Sequence, residues 1–131
     1  MAKVPDTMPD FSKSEDGLIP AVAQDAITGE ILMLAYVNKA AWEETLRSKR
    51  ACYWSRSRSK LWKKGEESGN WQEIKEILVD CDGDSIIYKI EQVGGIACHT
   101  GRKSCFFYKY ENDNFSINSD PIIDPAQLYK K

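Results

Sequence analysis

At 131 residues, with 42% hydrophobic and 29% charged side chains, the chain is large enough to bury the core of one globular domain without disulfides. A formal charge of -2 argues against a general nucleic-acid binder. No apolar run reaches the roughly 20 residues that span a bilayer, so no membrane partner is expected either.

Met1 to Lys13 mixes Lys3, Asp6, Asp10 and Lys13 with two prolines and lacks the apolar stretch of a secretory signal, so a cytoplasmic location is expected. Residues 1–16 read as a flexible leader, 17–111 as a single domain and 112–131 as a polar C-terminal tail. Leu18 to Gln24 reads as a strand, Asp25 to Gly29 as a turn and Glu30 to Val37 as a second strand. Gly29 supplies an easy positive φ for that hairpin. Asn38 is a good N-cap for a helix over Lys39 to Lys49, on which Trp42, Thr45 and Leu46 share a face.

Arg50 to Ser55 is short, aromatic and strand-like. From Arg56 to Asn70 the periodicity disappears, and this stretch reads as a loop. Trp71 to Cys81 and Ser85 to Val93 are β-rich runs separated by the tight Asp82-Gly83 pair. Gly94-Gly95 breaks the pattern, and Cys105 to Tyr110 is the last substantial strand expected. The tail holds one helical turn near Ala126 to Tyr129. The expected class is α+β, dominated by antiparallel strands.

The candidate chemistry sits in two clusters. Asp80, Asp82 and Asp84 alternate along the chain, so in an extended segment they face one way and Cys81 the other. Three like charges on one side repel unless a cation sits among them, and oxygen-only ligation suits Mg²⁺. The same segment imitates a calcium EF-hand loop running on to Ile87 and Glu91. Ser85 stands where that loop needs glycine, however, and the strand-forming Ile86-Ile87-Tyr88-Lys89-Ile90 replaces the required helix.

In a reducing compartment, clustered cysteines point to metal or reactivity rather than to disulfides. Three of the four cysteines, Cys81, Cys98 and Cys105, lie close together in sequence, while Cys52 reads as a small core residue. Three thiolates leave one position of a tetrahedral zinc open for water, as in catalytic zinc sites. Soft sulfur and hard carboxylate seldom want the same ion, so two metals are inferred. His99, the only histidine, is either a fourth zinc ligand or a general base beside the metal. Arg56, Arg58, Lys60, Lys63 and Lys64 interleave with Trp54 and Trp62, followed by Gly65-Glu66-Glu67-Ser68-Gly69. That mixture of cations, indoles and backbone donors suits a phosphate-bearing nucleotide.

Taken in order, these segments resemble the phosphoribosyl-AMP cyclohydrolase family of histidine biosynthesis. The resemblance runs from about Leu18 to Phe107. It rests on Ala35-Tyr36, Tyr53-Trp54-Ser55-Arg56-Ser57-Arg58 and Leu61-Trp62-Lys63-Lys64-Gly65-Glu66 with Ser68-Gly69-Asn70. It continues through Asp80-Cys81-Asp82-Gly83-Asp84 and Ala97-Cys98-His99-Thr100-Gly101-Arg102-Lys103-Ser104-Cys105-Phe106. The resemblance implies hydrolysis of the N1–C6 bond of the adenine ring of N1-(5-phosphoribosyl)-AMP by zinc hydroxide, with His99 assisting proton transfer. It implies Zn²⁺ on Cys81, Cys98 and Cys105, and Mg²⁺ on Asp80, Asp82 and Asp84.

It further implies a β-sheet pseudo-barrel with one or two short helices, assembled as an intertwined homodimer whose subunits share the zinc ligands. Substrate contacts are expected from Ser55, Arg56, Arg58, Trp62, Lys63, Lys64, Gly65, Glu66, Ser68, Gly69, Arg102 and Lys103. The competing expectation is a non-catalytic, zinc-stabilised module whose basic loop binds RNA or an acidic partner.

Overall fold

Along Ile19–Asp25 (β1), Ile19, Ala21 and Ala23 are buried, while Pro20, Val22 and Gln24 turn to the opposite, half-covered face. The chain reverses where the Asp25 carboxylate accepts the amides of Ile27 (2.8 Å) and Thr28 (3.1 Å). Those two bonds, Thr28's the larger, hold the Asp25 carboxyl below its usual range. Gly29 completes the turn at φ +80. Ile31–Val37 (β2) then returns antiparallel, with Val22 opposite Leu34 and Ala21 opposite Ala35. The expected first hairpin is present; this computed structural model describes residues 3–128 of the chain.

Asn38 caps the helix Lys39–Ser48 (α1) by accepting the Ala41 amide at 3.0 Å, and Lys49 ends it in the left-handed region at φ 62. Its buried stripe is Ala41 and Thr45 with Trp42 packed beside them, whereas Leu46 is exposed, contrary to expectation. The Thr45 hydroxyl decides this orientation. It donates to the Ala41 carbonyl (2.9 Å) and accepts the Cys52 amide (2.9 Å), which ties the helix to the next strand and turns Leu46 outward. Cys52 is buried, as the sequence suggested, and burial pushes its thiol up.

The largest departure from the sequence reading lies between Arg56 and Asn70. Cys52–Ser55 (β3) pairs antiparallel with a second strand, Lys60–Lys63 (β4), in what reads as a loop. Cross-strand aromatic contact substitutes for the missing alternation: Tyr53 lies opposite Trp62, ring centroids 5.6 Å apart.

Gln72–Val79 (β5) and Ile86–Gln92 (β6) form the expected antiparallel pair. β6 also runs parallel to β1, giving a four-stranded sheet in the order β2-β1-β6-β5. One of its three pairings is therefore parallel. Among the described residues the sheet stays open at β2 and β5, with β3-β4 as a separate hairpin, so the pseudo-barrel closure is replaced by an open mixed sheet. The class remains α+β.

The core lies on one face of that sheet, where Tyr53 and Tyr88 meet edge to face at 5.9 Å among Ile19, Val37, Ile86 and Ile90. Burying each such branched side chain stabilises the fold by about 1.5–3 kcal/mol.

Beyond the cysteine segment, the last expected strand starts later than Cys105. Tyr108–Glu111 (β7) and Asn114–Ile117 (β8) form a further hairpin, which continues into 112–131. Cys105 is instead anchored through its amide to the Leu32 carbonyl at 2.7 Å, so its backbone is committed to the end of β2. A short helix, Pro125–Leu128 (α2), closes the described chain; Tyr129, part of the expected helical turn, lies outside the described residues. Within 1–16, Pro9 is buried, Phe11 packs against the core and the Asp10 amide donates to Gly83 at 2.7 Å.

Candidate metal and substrate site

The three acidic residues converge through a reverse turn rather than along an extended strand. The Gly83 amide donates to the Asp80 carbonyl (3.1 Å) and the Asp80 amide to the Ser85 carbonyl (3.0 Å), folding residues 80–85 back on themselves. The Asp80 carboxylate accepts the amides of Asp84 (3.0 Å) and Ser85 (3.2 Å). Carboxylate oxygens of Asp80, Asp82 and Asp84 then lie within 4.8 Å of one another. Desolvation works against the Asp80 anion, but the Asp84 amide and the other bonds converging on it hold its carboxyl below the usual range. Asp84 moves the other way: its hydrogen bond with Asp82, desolvation and the neighbouring negative charges all push it up.

This oxygen-only, partly exposed triad fits a hard divalent cation such as Mg²⁺. Among the described residues it is the only group of three or more acidic, cysteine or histidine ligands so closely gathered.

The thiols behave differently. Cys98 and Cys105 lie near enough to shift each other's thiol, whereas Cys81, on the acid turn, is exposed and is not gathered with them. Amides of Ala97 and Cys98 donate to the carbonyls of Lys103 and Arg102, both at 3.1 Å, closing residues 97–103 into a loop. At its tip the Gly101 amide returns to the Cys98 carbonyl (3.0 Å), leaving His99 exposed at a central turn position next to Cys98. Gly101 is required there: at φ +84, a Cβ would sit 2.1 Å from the Ile123 carbonyl oxygen.

Burial raises the Cys98 thiol, but the Thr100 hydroxyl (3.1 Å to Sγ) and amide, the Cys105 thiol and the Lys64 charge outweigh it, and its pKa is lowered overall. Burial and the neighbouring Cys98 push Cys105 up to about 12. Two adjacent thiols with a cation beside them fit a thiophilic ion such as Zn²⁺, with the remaining ligands supplied from elsewhere.

Lys64 connects this loop to the basic hairpin. Its ammonium donates to the Ala97 carbonyl at 2.5 Å, and burial lowers its pKa against the opposing pull of Cys105 and Cys98. Beside it opens a cavity of about 490 Å³. Of the expected substrate-binding residues, Ser55, Arg58, Trp62, Lys64, Gly65, Glu66 and Ser68 line it. The indole of Trp62 forms part of the wall, 5.4 Å from the Lys64 ammonium. Lys63 lines instead a second cavity of about 300 Å³, which shares Lys64, Gly65 and Glu66 with the first and is bordered by Arg47 and Arg50.

Other expected contacts are committed within the fold. The Arg56 guanidinium lies 4.2 Å over the Tyr36 ring. Arg102 donates to the Ser119 carbonyl (2.9 Å) and covers Phe107, while Lys103 pairs with Glu30 at 2.9 Å. Gly69 lines neither cavity but closes the loop, its amide on the Gly65 carbonyl at 2.8 Å. Gly65 is obligatory at φ +87, since a Cβ would sit 2.3 Å from the Trp71 amide nitrogen.

Ser57, Lys60, Leu61 and Glu67 also line the larger cavity; Lys60 and Glu67 belong to the expected phosphate-binding loop, but none of the four was among the expected substrate contacts. The pairing of β4 with β3 would have located Lys60 and Leu61.

A profile of the phosphoribosyl-AMP cyclohydrolase family matches residues 33–107, which include the acid turn, both cavities and the cysteine loop. The chain is 56% identical over 119 residues to the phosphoribosyl-AMP cyclohydrolase of Desulfotalea psychrophila, covering 91% of this chain and 94% of that protein. It is 56% identical to the one from Desulfatibacillum aliphaticivorans, covering 93% and 97% respectively. A third, from Bordetella avium, is 51% identical across 99% of this chain and its own full length. The matched region and the near-complete coverage of these relatives establish that the chain belongs to the phosphoribosyl-AMP cyclohydrolase family of hydrolases.

Proposed function

We propose that the chain hydrolyses the N1–C6 bond of the adenine ring of N1-(5-phosphoribosyl)-AMP, a cytoplasmic step of L-histidine biosynthesis, at sites completed by two copies of the chain. The observation that carries this reading is the Lys64 bridge. It joins a phosphate-compatible cavity to a pair of metal-competent thiols far away in sequence. A nucleotide is thereby held beside a Lewis-acid site, which is what a ring-opening hydrolysis needs.

Cys98 and Cys105, with Cys81 of the partner subunit, hold Zn²⁺ in this reading, and Asp80, Asp82 and Asp84 hold Mg²⁺. Bound zinc supplies Lewis acidity and an activated water at neutral pH. Bound magnesium supplies positive charge toward the substrate phosphates.

The chain's own residues do the rest. Arg58 and Lys64 bind phosphate oxygens, and the Ser55 and Ser68 hydroxyls and the Gly65 backbone add hydrogen bonds at the cavity wall. Trp62 presents its ring to the purine. His99, exposed beside Cys98, takes a proton from the attacking water and returns one to N1 as that nitrogen leaves. Oxygen from water becomes the carboxamide oxygen at C6, and N1 departs carrying its phosphoribosyl group.

The test follows phosphoribosyl-AMP conversion by absorbance, before and after chelation and again with Zn²⁺ restored. Loss on chelation and recovery with zinc are expected. A folded, zinc-loaded sample without turnover would sink the proposal.

A further inference from the structure

The β7-β8 hairpin is a two-stranded ribbon with one wholly apolar face. Tyr108 pairs with Ile117 and Tyr110 with Phe115, so all four side chains point the same way. Lys109, Glu111, Asn114 and Ser116 occupy the other face, where Lys109 and Glu111 form an ion pair at 3.3 Å. The apolar four are 67%, 62%, 72% and 56% exposed for Tyr108, Tyr110, Phe115 and Ile117. Among the described elements, β7 and β8 pack substantially only on each other. An isolated two-stranded ribbon is marginal in water, and an exposed aromatic face of this size marks a contact surface.

A second uncovered surface lies on the side of the four-stranded sheet away from the core. Leu34, Val22, Ile87 and Leu78 are register partners, forming one apolar row across β2, β1, β6 and β5. The row is 45% exposed at Leu34 and 42% at Leu78, and Gln24, Lys89 and Glu76 border it. At the end of β5 the chain enters the acid turn and Cys81.

We infer that the apolar face of this hairpin seats on the outer sheet face of a second copy of the chain, reciprocally, and that this contact is the arm of the homodimer. The inference rests on the proposed sharing of zinc ligands between copies and names the surfaces that accomplish it. The occupant is a second copy because the thiol set is incomplete in one chain, and both half-sites adjoin these faces. Two residues link Cys105 to the hairpin at Tyr108, and two link the sheet row at Leu78 to Cys81. Each thiol thus lies within about 10 Å of chain from the contact.

Two reciprocal arms close a two-fold dimer, removing both exposed surfaces at once. Four large side chains offer on the order of 500 Å² per arm. Two arms on two sheet faces therefore bury on the order of 2,000 Å² in total, enough for a stable interface.

Two variants test the pairing by sedimentation velocity: Tyr110→Lys with Phe115→Lys in the hairpin, and Leu34→Glu with Leu78→Glu in the sheet. Each alone is expected to remain folded by circular dichroism and to sediment as a monomer. The dimer dissociation constant should rise at least about 100-fold. An equimolar mixture should regain a dimer, because a lysine-bearing arm meets a glutamate-bearing sheet while the other arm and sheet are unaltered.

A hairpin variant that stays dimeric overturns the inference, as does a mixture of monomeric variants that stays monomeric. Hydrogen exchange on the unaltered chain is an independent check, should a variant unfold. Amides of 108–117 and 76–79 should gain protection between nanomolar and micromolar concentration. A wild-type chain that remains monomeric, with no such gain, assigns the faces to another protein and overturns the proposal. Turnover is not part of the readout, so an inactive but dimeric chain would sink the proposed hydrolysis and leave the interface standing.

Discussion

The Asp80–Asp84 turn and the Cys98–Cys105 loop both present candidate metal ligands, yet they reach that condition by different routes. The acid triad is assembled locally: amides of Asp84 and Ser85 clamp the Asp80 carboxylate, and all three carboxyl groups converge in one chain. The cysteine loop gathers two thiols and depends on distant segments for its position, through the Cys105 amide on Leu32 and Lys64 on Ala97. A site built by a turn is ready as soon as the turn forms. A site built from distant segments needs the tertiary fold and, in the function proposed above, a second copy as well.

The sharpest way to break this contrast is to remove a thiol. Cys105→Ser should abolish zinc stoichiometry and lower kcat/KM by at least about 1,000-fold, as expected when a Lewis acid is lost. Metal analysis and steady-state rates check this. Mixing that variant with Cys81→Ser should restore about a quarter of the wild-type rate, because half of randomly paired dimers carry one intact site. The same mixing of Asp82→Asn with Asp80→Asn should restore no intact triad, since all three acids belong to one chain.

Next in size, His99→Ala should retain zinc and fold but lose roughly 100- to 10,000-fold in kcat, the range for a general acid–base group. If that variant loses its metal in proportion, His99 is a ligand and the open position disappears.

A smaller effect is expected at Ser104, whose hydroxyl donates to the Ile31 carbonyl (2.8 Å) and accepts the Phe106 amide (3.0 Å). Ser104→Ala should weaken zinc binding by about 10- to 100-fold, as loss of a supporting contact does, and leave magnesium titration unchanged. Competition with a chromophoric chelator measures the first, and calorimetry the second.

The pH dependence separates the two sites most gently. Zinc must displace the Cys105 proton, whose pKa stands at about 12, so zinc affinity should rise steadily with pH through neutrality. Magnesium displaces at most the Asp84 proton, on a carboxyl raised by its hydrogen bond with Asp82, by desolvation and by the neighbouring negative charges, so its affinity should fall as pH drops through that group's titration and level off above it. Proton release on metal addition reads both.

The sequence made the ligand types, the α1 cap and the four strands of the main sheet legible, because each depends on residues close together in the chain. Asn38, Asp25 and Gly29 act within a few positions of themselves. β4 was missed because Lys60-Leu61-Trp62-Lys63 lacks apolar alternation and is held by pairing with β3, above all Tyr53 against Trp62. β8 was hidden in a polar tail for a different reason: it alternates, but buries nothing within its own chain. Arg102 and Lys103 matched a basic-site pattern, and only the fold revealed that they are committed to Ser119 and Glu30.

By itself, then, the sequence determined which chemistry is present: three hard ligands close together in the chain, three soft ones, a histidine and a run of cations. The tertiary structure decided which of these meet. It brought Lys64 to the thiol loop, kept Cys81 apart from Cys98 and Cys105, and left a hairpin and a sheet face uncovered. Ligand identity is a property of single residues, whereas proximity across the chain is fixed only by the packing that repays the entropy of ordering it.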